Sequence, residues 1–280
     1  MPARTDLLLD PFGARWEDLR AAALAAAEAG FSGLWTWDHL AGSVHRADWV
    51  LESWTLLAGL AATVEGLAIG PLVLNVANRH PLLVATAAAT LQEMSGGRVL
   101  LGLGAGGGPA TPYAAEQQAL GRRVGPDPVR RRRLTEAIAV IRQVWTGGTT
   151  GFAGHHYRLE AASGFPRPDP PPPIVVGAFG PKMAELAGRE ADGINVQAFN
   201  PRLDELLATA RRARAQAGRD PDEFLVTAFA GLDSRWLDHQ GRERSHLRRS
   251  GVDRLILLVP TPLDPAEIGA AGRLLSRSRR

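Results

Sequence analysis

The sequence of 280 residues contains no cysteine, and lysine occurs only once, at Lys182. The absence of cysteine excludes disulfides, thiolate catalysis and thiolate-ligated metals. Its seven histidines are scattered without the spacing of a metal site, so we predict no bound metal. A G-x-S-x-G nucleophile elbow is also missing, which leaves serine-based hydrolysis without support.

Long apolar runs are missing as well. The longest apolar region, 56–78, is broken by Glu65 and Pro71, so it does not predict a membrane span. The N-terminal residues lack the basic start and the apolar segment of a signal peptide. We therefore expect a cytoplasmic protein without a membrane partner.

The basic residues are almost balanced by acidic ones, since 32 lysine and arginine residues against 29 aspartate and glutamate residues leave a net charge of only +3. The tract "RRVGPDPVRRRR", 122–133, is the one dense cluster. Four successive arginines on a helix point around its circumference, and no aromatic residues interleave with them. A solvated helix start is favoured over a nucleic-acid site, and we predict no nucleic-acid partner.

Short apolar runs alternate along the chain with longer amphipathic ones, which is typical of repeated βα units. The strand "RVLLGLG" and its counterparts are almost continuously apolar, as expected for parallel strands covered on both faces. The predicted strands are Asp6–Asp10, Gly33–Trp37, Leu67–Leu74, Arg98–Leu103, Ile174–Gly177, Gly193–Gln197, Leu225–Phe229 and Arg254–Val259. The predicted helices span 16–29, 52–64, 81–94, 129–146, 181–190, 201–217, 239–249 and 265–276.

Eight such units in 280 residues favour a single-domain (β/α)8 TIM barrel over 1–280. The alternative is a doubly wound sheet, which uses the same units but seldom needs eight of them. The Gly- and Pro-rich segment 147–173 is predicted to be an excursion or lid over the site. Its "PRPDPPPP" run also matches a partner-binding polyproline segment, although a rigid lead-in to the next strand is favoured.

Polar and glycine-rich residues recur where the predicted strands end, and in a barrel these ends form the ligand site. They are Asp10, Asp38-His39, Asn75, "GAGGG" at 104–108, "GAFGPK" at 177–182, Asn195 and Gln197. The run after strand four contains a literal GxGxxG, but it does not open into a helix as a dinucleotide fingerprint must. We interpret these glycines as backbone clearance for a flat ring, with a flexible loop as the alternative. The run "GAFGPK" leads into a helix start and predicts an anion site beside Lys182.

Five stretches stand in order near the spacing of a known family: "AEAGFSGLWTWDHL", "LESWTLLAGLA", "NRHPLLVATAAATLQEMSGGRVLLGLGAG", "ALGRRVGPDP" and "GREADGIN". Together they resemble the bacterial luciferase-like oxidoreductases, and within them the subgroup that uses the deazaflavin coenzyme F420. The resemblance covers nearly the whole chain and is weak over 230–280. It implies a TIM barrel, an F420 cofactor, a small-molecule substrate and a homodimer.

The resemblance also implies roles for individual residues. Asp38 contacts the coenzyme, and His39 lies beside its ring as proton donor or acceptor. Strand three passes under the ring near Leu72–Asn75, often through a non-prolyl cis peptide. The predicted catalytic residues are His39 and Asp38, and the predicted cofactor contacts are Asp38, Leu74, Asn75, Ala105, Gly106, Gly107, Gly177, Phe179, Gly180, Lys182, Met183 and Asn195. Of these, Phe179, Gly180, Lys182 and Met183 map onto the phosphate site.

Two departures from the sugar-phosphate dehydrogenase branch of this family limit the substrate. Gly107 stands where that branch has a catalytic glutamate, and Lys182 is the only lysine available for a substrate phosphate. We therefore expect hydride transfer between C5 of the deazaflavin and a small organic substrate that is not a sugar phosphate. The alternatives are an FMN-dependent monooxygenase and a non-catalytic deazaflavin- or flavin-binding protein. Trp37, Trp49, Trp35 and Trp54 are candidate pocket walls, with core packing as the alternative for the last two.

Overall fold

The computed structural model describes residues 3–147 and 151–277. Within these ranges the strands are β1 (Arg4–Leu9), β2 (Gly33–Thr36), β3 (Ala68–Pro71), β4 (Leu74–Asn75), β5 (Leu101–Gly104), β6 (Phe152–Ala153), β7 (Arg158–Leu159), β8 (Ile174–Gly177), β9 (Gly193–Gln197), β10 (Leu225–Gly231) and β11 (Arg254–Val259). The α-helices are α1 (Trp16–Glu28), α2 (Ser53–Thr63), α3 (Pro81–Met94), α4 (Ala114–Ala119), α5 (Asp127–Trp145), α6 (Pro181–Glu190), α7 (Leu203–Gln216), α8 (Arg242–Arg249) and α9 (Pro265–Arg277).

The parallel strands form a ring in the order β3, β2, β1, β11, β10, β9, β8, β5 and β4. Ile69 of β3 closes it, because its amide donates to the Arg98 carbonyl at 3.0 Å and its carbonyl accepts from Leu100 at 2.9 Å. Since β3 and β4 are two parts of one barrel position, the ring has eight positions. The predicted (β/α)8 barrel is confirmed, and no described helix is long and apolar enough to cross a membrane.

The barrel interior and the layer beneath the helices are filled by alternate residues of the same strands. Leu8, Trp35 and Ile256 lie inside the ring, whereas Leu7, Leu9 and Leu34 belong to the larger cluster beneath the helices. Successive side chains of a strand point to opposite faces, so apolar residues at consecutive positions supply both layers. This explains why the strands are apolar throughout.

A buried ion pair joins the first and last barrel strands near their N-terminal ends. Arg254 donates to Asp6 twice, from Nε to Oδ2 at 2.7 Å and from Nη2 to Oδ1 at 2.8 Å. Trp35 adds a third hydrogen bond from its indole Nε1 to Oδ2 of Asp6 at 2.9 Å. With these partners the buried charges are compensated, and the end of the barrel away from the cavity is closed.

Three strands (174–177, 193–197 and 254–259) have their predicted bounds, whereas strand three differs. The predicted strand Leu67–Leu74 is divided into β3 and β4, with a cis peptide between Leu72 and Val73. A non-prolyl cis peptide in this region was implied by the family resemblance and is confirmed. The predicted start of strand four at Arg98 is replaced by Leu101, because only the single bridge of Val99 to Ile69 precedes it.

The excursion after α5 contains the short antiparallel pair β6–β7. Glu136 of α5 anchors it, since its carboxylate accepts hydrogen bonds from the amides of His155, His156 and Tyr157. None of the described residues 151–173 lines the large cavity, so of the two predicted roles, excursion or lid, this part has that of an excursion held on α5. Residues 148–150 of the predicted excursion, and 1–2 and 278–280 of the predicted domain, lie outside the described residues.

Candidate active site

A cavity of about 800 Å³ opens at the C-terminal ends of the barrel strands. Residues from the C-terminal halves of six barrel strands or from the loops after them, and from the start of α5, converge on it. With one exception, Leu74, the predicted site residues line this cavity: Asp38, His39, Asn75, Ala105, Gly106, Gly107, Gly177, Phe179, Gly180, Lys182, Met183 and Asn195. Of the other predicted strand exits, Gln197 lines it as well, whereas Asp10 does not.

Leu74 is the predicted cofactor contact that the structure separates from the cavity. Its side chain is 1 % exposed and packs in the apolar layer beneath the helices. The neighbouring Val73 lines the cavity instead, together with Leu72. Because consecutive strand residues face opposite sides, only one of Val73 and Leu74 can point into the barrel mouth.

Asp38 is a buried carboxylate held from below. Its Oδ2 atom accepts a hydrogen bond from the Asn75 amide at 2.8 Å and one from Arg79 Nη1 at 2.7 Å. The second guanidinium nitrogen of Arg79 donates to Glu52 at 2.6 Å. Burial raises the pKa of Asp38 above its usual range, although the Arg79 charge and the Asn75 amide act in the opposite direction. Asp38 therefore holds a fixed, buried carboxyl group in the wall of the cavity.

His39 is held by a carboxylate from a different loop. Its Nδ1 atom lies 3.1 Å from Oε1 of Glu116, which is only 2 % exposed. The same oxygen accepts from the amides of Leu40 at 2.7 Å and Ala41 at 3.2 Å. Burial would raise the pKa of Glu116, but these hydrogen bonds outweigh it and hold the pKa below its usual range. Glu116 is therefore an ionised acceptor for His39.

Aromatic side chains surround the His39 ring. Tyr113 stacks on it with ring centroids 5.3 Å apart, and Phe12 lies 5.2 Å away. His45 approaches edge-on at 5.5 Å, and burial together with the His39 charge lowers the pKa of His45. The side chains around the His39 ring are therefore largely apolar.

Two glycines at the end of β5 and just after it lie against the segment Val73–Asn75. A Cβ atom on Gly104 would lie 2.7 Å from Val73, and one on Gly106 would lie 2.5 Å from the Asn75 side chain. Gly106 also has a φ of +78°, which favours glycine. The missing side chains of Gly104 and Gly106 thus make room for Val73 and Asn75 of this protein itself. Gly180 is different, because nothing lies within 4 Å of its Cβ position.

The N-terminus of α6 forms the other end of the cavity. No side chain of a described residue caps this helix, whose N-cap residue is Gly180. Lys182 in its first turn lines the cavity, and Phe179 at the rim is 76 % exposed. Arg131 of α5 also lines the cavity. A helix N-terminus with a lysine in its first turn suits an anionic group.

The sequence did not single out several residues that line this cavity. The cluster Arg130–Arg133 was assigned to solvent, yet Arg130 and Arg131 reach the cavity, and Arg130 donates to the Gly106 carbonyl and to Asp127. The signal was the dense arginine tract before a helix. Tyr113, Glu116 and His45 lie in or beside short elements without a periodic pattern, and no local signal identified them.

The four candidate tryptophans divide between the two expected roles. Trp37 lines the cavity and meets Phe229 edge-on at 5.3 Å. Trp35 is fully buried inside the barrel, and Trp54 packs against the core. Trp49 is 49 % exposed and donates to the Ala14 carbonyl. Only Trp37 among them walls the cavity.

The closed barrel with a polar cavity at its C-terminal face defines a TIM-barrel protein with a small-molecule site. Residues 2–234 match the family model described as luciferase-like monooxygenase, and the chain belongs to this family. The resemblance stated from the sequence is thereby confirmed. The matched part ends before α8, which agrees with the weak resemblance over 230–280.

Two curated relatives illustrate the similarity. An F420-dependent hydroxymycolic acid dehydrogenase of Mycobacterium tuberculosis is 36% identical over 208 residues, which cover 74% of this chain and 56% of the relative. An F420-dependent glucose-6-phosphate dehydrogenase of Nakamurella multipartita is 36% identical over 211 residues, covering 74% of this chain and 60% of that enzyme. The matched part of the chain thus spans less than two thirds of these relatives' length.

A solved structure extends the comparison to the whole fold. An F420-dependent secondary alcohol dehydrogenase, determined with an F420–acetone adduct, superposes with a TM-score of 0.85 at 20% sequence identity. The alignment covers 100% of both chains. At this identity the likeness establishes the shared barrel fold.

Proposed function

We propose that this chain is an F420-dependent oxidoreductase that transfers a hydride between the coenzyme and a small neutral organic substrate. The observation that carries this proposal is the convergence of the predicted coenzyme positions on one cavity, around Asp38, His39 and the N-terminus of α6. The F420-dependent relatives support the same assignment.

The cavity suits a flat ring that carries an anionic tail. Leu72 and Val73 offer an apolar surface where strand three is divided, and Asp38 and Asn75 supply polar atoms beside it. At the other end, Gly180 leaves space at an uncapped helix N-terminus, and Lys182 adds a positive charge. These groups would hold the ring and the phosphate respectively. A bound deazaflavin would supply the hydride acceptor or donor at its C5 atom.

His39 carries the proton in this proposal. Nδ1 is engaged by Glu116, and Nε2 has no hydrogen bond to any residue that the structure describes. At Nε2, His39 would take the hydroxyl proton of an alcohol that is oxidised. In the reverse direction it would return that proton to the carbonyl oxygen of a ketone that is reduced. An imidazole suits both directions near neutral pH.

The walls around His39 favour a neutral substrate. Tyr113, Trp37 and Phe229 supply aromatic surface, and Gly107 supplies no acid. Of the cations that line the cavity, Lys182 lies in the first turn of α6 at the proposed phosphate end, and Arg130 donates to the Gly106 carbonyl and to Asp127. A secondary alcohol or its ketone fits this distribution of charge better than a sugar phosphate.

Binding measurements test the cofactor assignment. The purified protein is titrated with F420 and separately with FMN, and the quenching of its tryptophan fluorescence is followed. We expect binding of F420, weakened by Asp38→Asn, and slow or absent turnover of secondary alcohols in His39→Ala with coenzyme affinity retained. Tight binding of FMN alone would overturn the F420 assignment and favour the monooxygenase alternative. Coenzyme binding without turnover of any alcohol or ketone would favour the non-catalytic alternative.

A homodimer is proposed as the assembly, in line with the family resemblance. Leu83 and Met94 lie on α3 and are 66 % and 52 % exposed, which leaves apolar surface on this helix. Sedimentation equilibrium of the wild type and of Leu83→Glu tests this, with a monomeric wild type as the contrary result. The expected cytoplasmic location stays a prediction.

A further inference from the structure

Glu116 is a buried acid that the sequence did not associate with the site. It lies in the six-residue helix α4 of the loop after β5, and His39 lies after β2, 77 residues earlier. The family acid is missing at Gly107, but Glu116 of the same loop places a carboxylate beside His39 from another direction. The question is what this carboxylate does for the histidine.

The contacts of Glu116 connect three loops at the cavity. One oxygen, Oε1, meets His39 and the amides of Leu40 and Ala41, and the other accepts from Asn78 Nδ2 at 3.3 Å. Four donors thus surround one buried carboxylate. An ionised carboxylate only accepts hydrogen bonds, so Nδ1 of His39 must carry a proton to bond with it. In the neutral ring, Nε2 then carries the lone pair.

We propose that Glu116 is the positioning residue of His39, which fixes the Nδ1–H tautomer and directs Nε2 to the reacting proton. The inference rests on the proposed proton transfer by His39. Its effect is exerted through the histidine, because Glu116 bonds to Nδ1 and not to the atom that meets the substrate. Removal of the carboxylate frees the ring to adopt the Nε2–H tautomer, which cannot accept a proton at Nε2.

The tautomer can be observed without coenzyme or substrate. Protein labelled with ¹⁵N-histidine is examined by long-range ¹H–¹⁵N NMR at a pH where the ring is neutral, and the His39 signals are identified by their loss in His39→Gln. We expect the Nδ1–H form in the wild type and in Glu93→Gln, an exposed control on α3 that also removes one negative charge. In Glu116→Ala the Nε2–H form is expected to dominate.

Two conservative variants separate geometry from charge. Glu116→Asp keeps the charge but withdraws it by one methylene, so the Nε2–H fraction is expected to rise; this variant serves if Glu116→Ala does not fold. Glu116→Gln keeps an acceptor oxygen, so the Nδ1–H form is expected to persist. A positioned acid–base group contributes about 10²–10⁴-fold to a rate, and we expect kcat to fall about 10-fold in Glu116→Gln and about 100-fold in Glu116→Ala, with KM changed less than about 3-fold.

The outcomes distinguish this inference from the proposed function. A wild-type His39 in the Nε2–H form, or an unchanged tautomer in the folded Glu116→Ala or Glu116→Asp variant, would overturn the positioning role even if F420 binds. Failure to bind F420 with a tautomer that depends on Glu116 would instead overturn the cofactor assignment alone.

Discussion

The guanidinium of Arg79 lies 2.6 Å from Oδ1 of Asp38, and the Asp38 side chain has no solvent exposure. The charge that compensates the Asp38 carboxylate thus comes from Arg79, in the loop between β4 and α3. Glu52, which is 41 % exposed at its side chain, shares the same guanidinium.

Arg79→Met is expected to destabilise the protein by about 3 kcal/mol, because it leaves a buried carboxylate without its partner. Combining it with Asp38→Asn is expected to recover part of this loss, since the uncompensated charge is then absent. Urea unfolding of the two single variants and the double variant gives the coupling energy. A loss below about 1 kcal/mol in Arg79→Met would contradict the importance of this pair.

Gly102→Ala is expected to cost about 1–3 kcal/mol in unfolding free energy. A Cβ atom there would collide with the carbonyl oxygen of Pro71, so the backbone of strand three would have to move. Gly231→Ala is the matched control, because nothing lies within 4 Å of its Cβ position. Thermal and urea unfolding compare the stabilities of the two variants. Equal stabilities would contradict the prediction and would mean that the backbone at Pro71 can move without a loss of unfolding free energy.

Glu136→Gln is expected to loosen the excursion selectively. Burial would raise the pKa of Glu136, but the amides of His155, His156 and Tyr157 outweigh it and hold the pKa below the ordinary value of 4.5. The folded carboxylate therefore binds protons less readily than the unfolded one, so its stabilisation is complete above pH 4.5 and is lost as the pH falls through the lowered pKa.

Hydrogen exchange over 151–160 measures this effect, after correction for the intrinsic exchange rate. At pH 7 we expect protection to drop about 3–10-fold in Glu136→Gln, since hydrogen bonds to a charged acceptor are stronger. The difference from the wild type should shrink as the pH falls below 4.5. Glu160→Gln in the same segment, whose side chain is 91% exposed, should match the wild type at every pH.

Arg131→Ala is expected to weaken binding of F420 about 2–5-fold, because Arg131 adds a positive charge to the lining of the cavity and the coenzyme carries an anionic tail. The neighbouring Arg132→Ala should leave the affinity unchanged, since Arg132 is exposed and does not line the cavity. Fluorescence titrations at low and high salt provide the measurement, and the difference should diminish with salt. Equal effects of the two substitutions would indicate a general field of the arginine tract.

The barrel and the part of the candidate site at the strand ends were predictable because they depend on local patterns. Apolar runs followed at once by polar residues predicted that Asp38, His39 and Asn75 meet at one end of the barrel, and they line one cavity. Glu116 was not predictable in this way, because its partner lies 77 residues away and α4 is too short to show a period. Long-range pairings of this kind are decided by loop geometry.

The glycines illustrate a second limit. The sequence shows where a glycine lacks a side chain, but it does not show which neighbouring residue occupies the space. At Gly104 and Gly106 the space is taken by Val73 and Asn75, whereas at Gly180 it stays open. The break in strand three, which brings Val73 to this place, was implied only by the family resemblance.

The first strand of the barrel has the last one as its neighbour, since all six residues of β1 pair with β11. During synthesis, one edge of β1 therefore has no partner strand until β11 has been made. The segment that completes the ring lies beyond the part matched by the family model, which ends at residue 234. The strand that completes the barrel thus lies in the part of the chain that the family model does not match. A nascent chain that stalled before this strand would have an open sheet, and the Asp6 carboxylate would lack its partner Arg254.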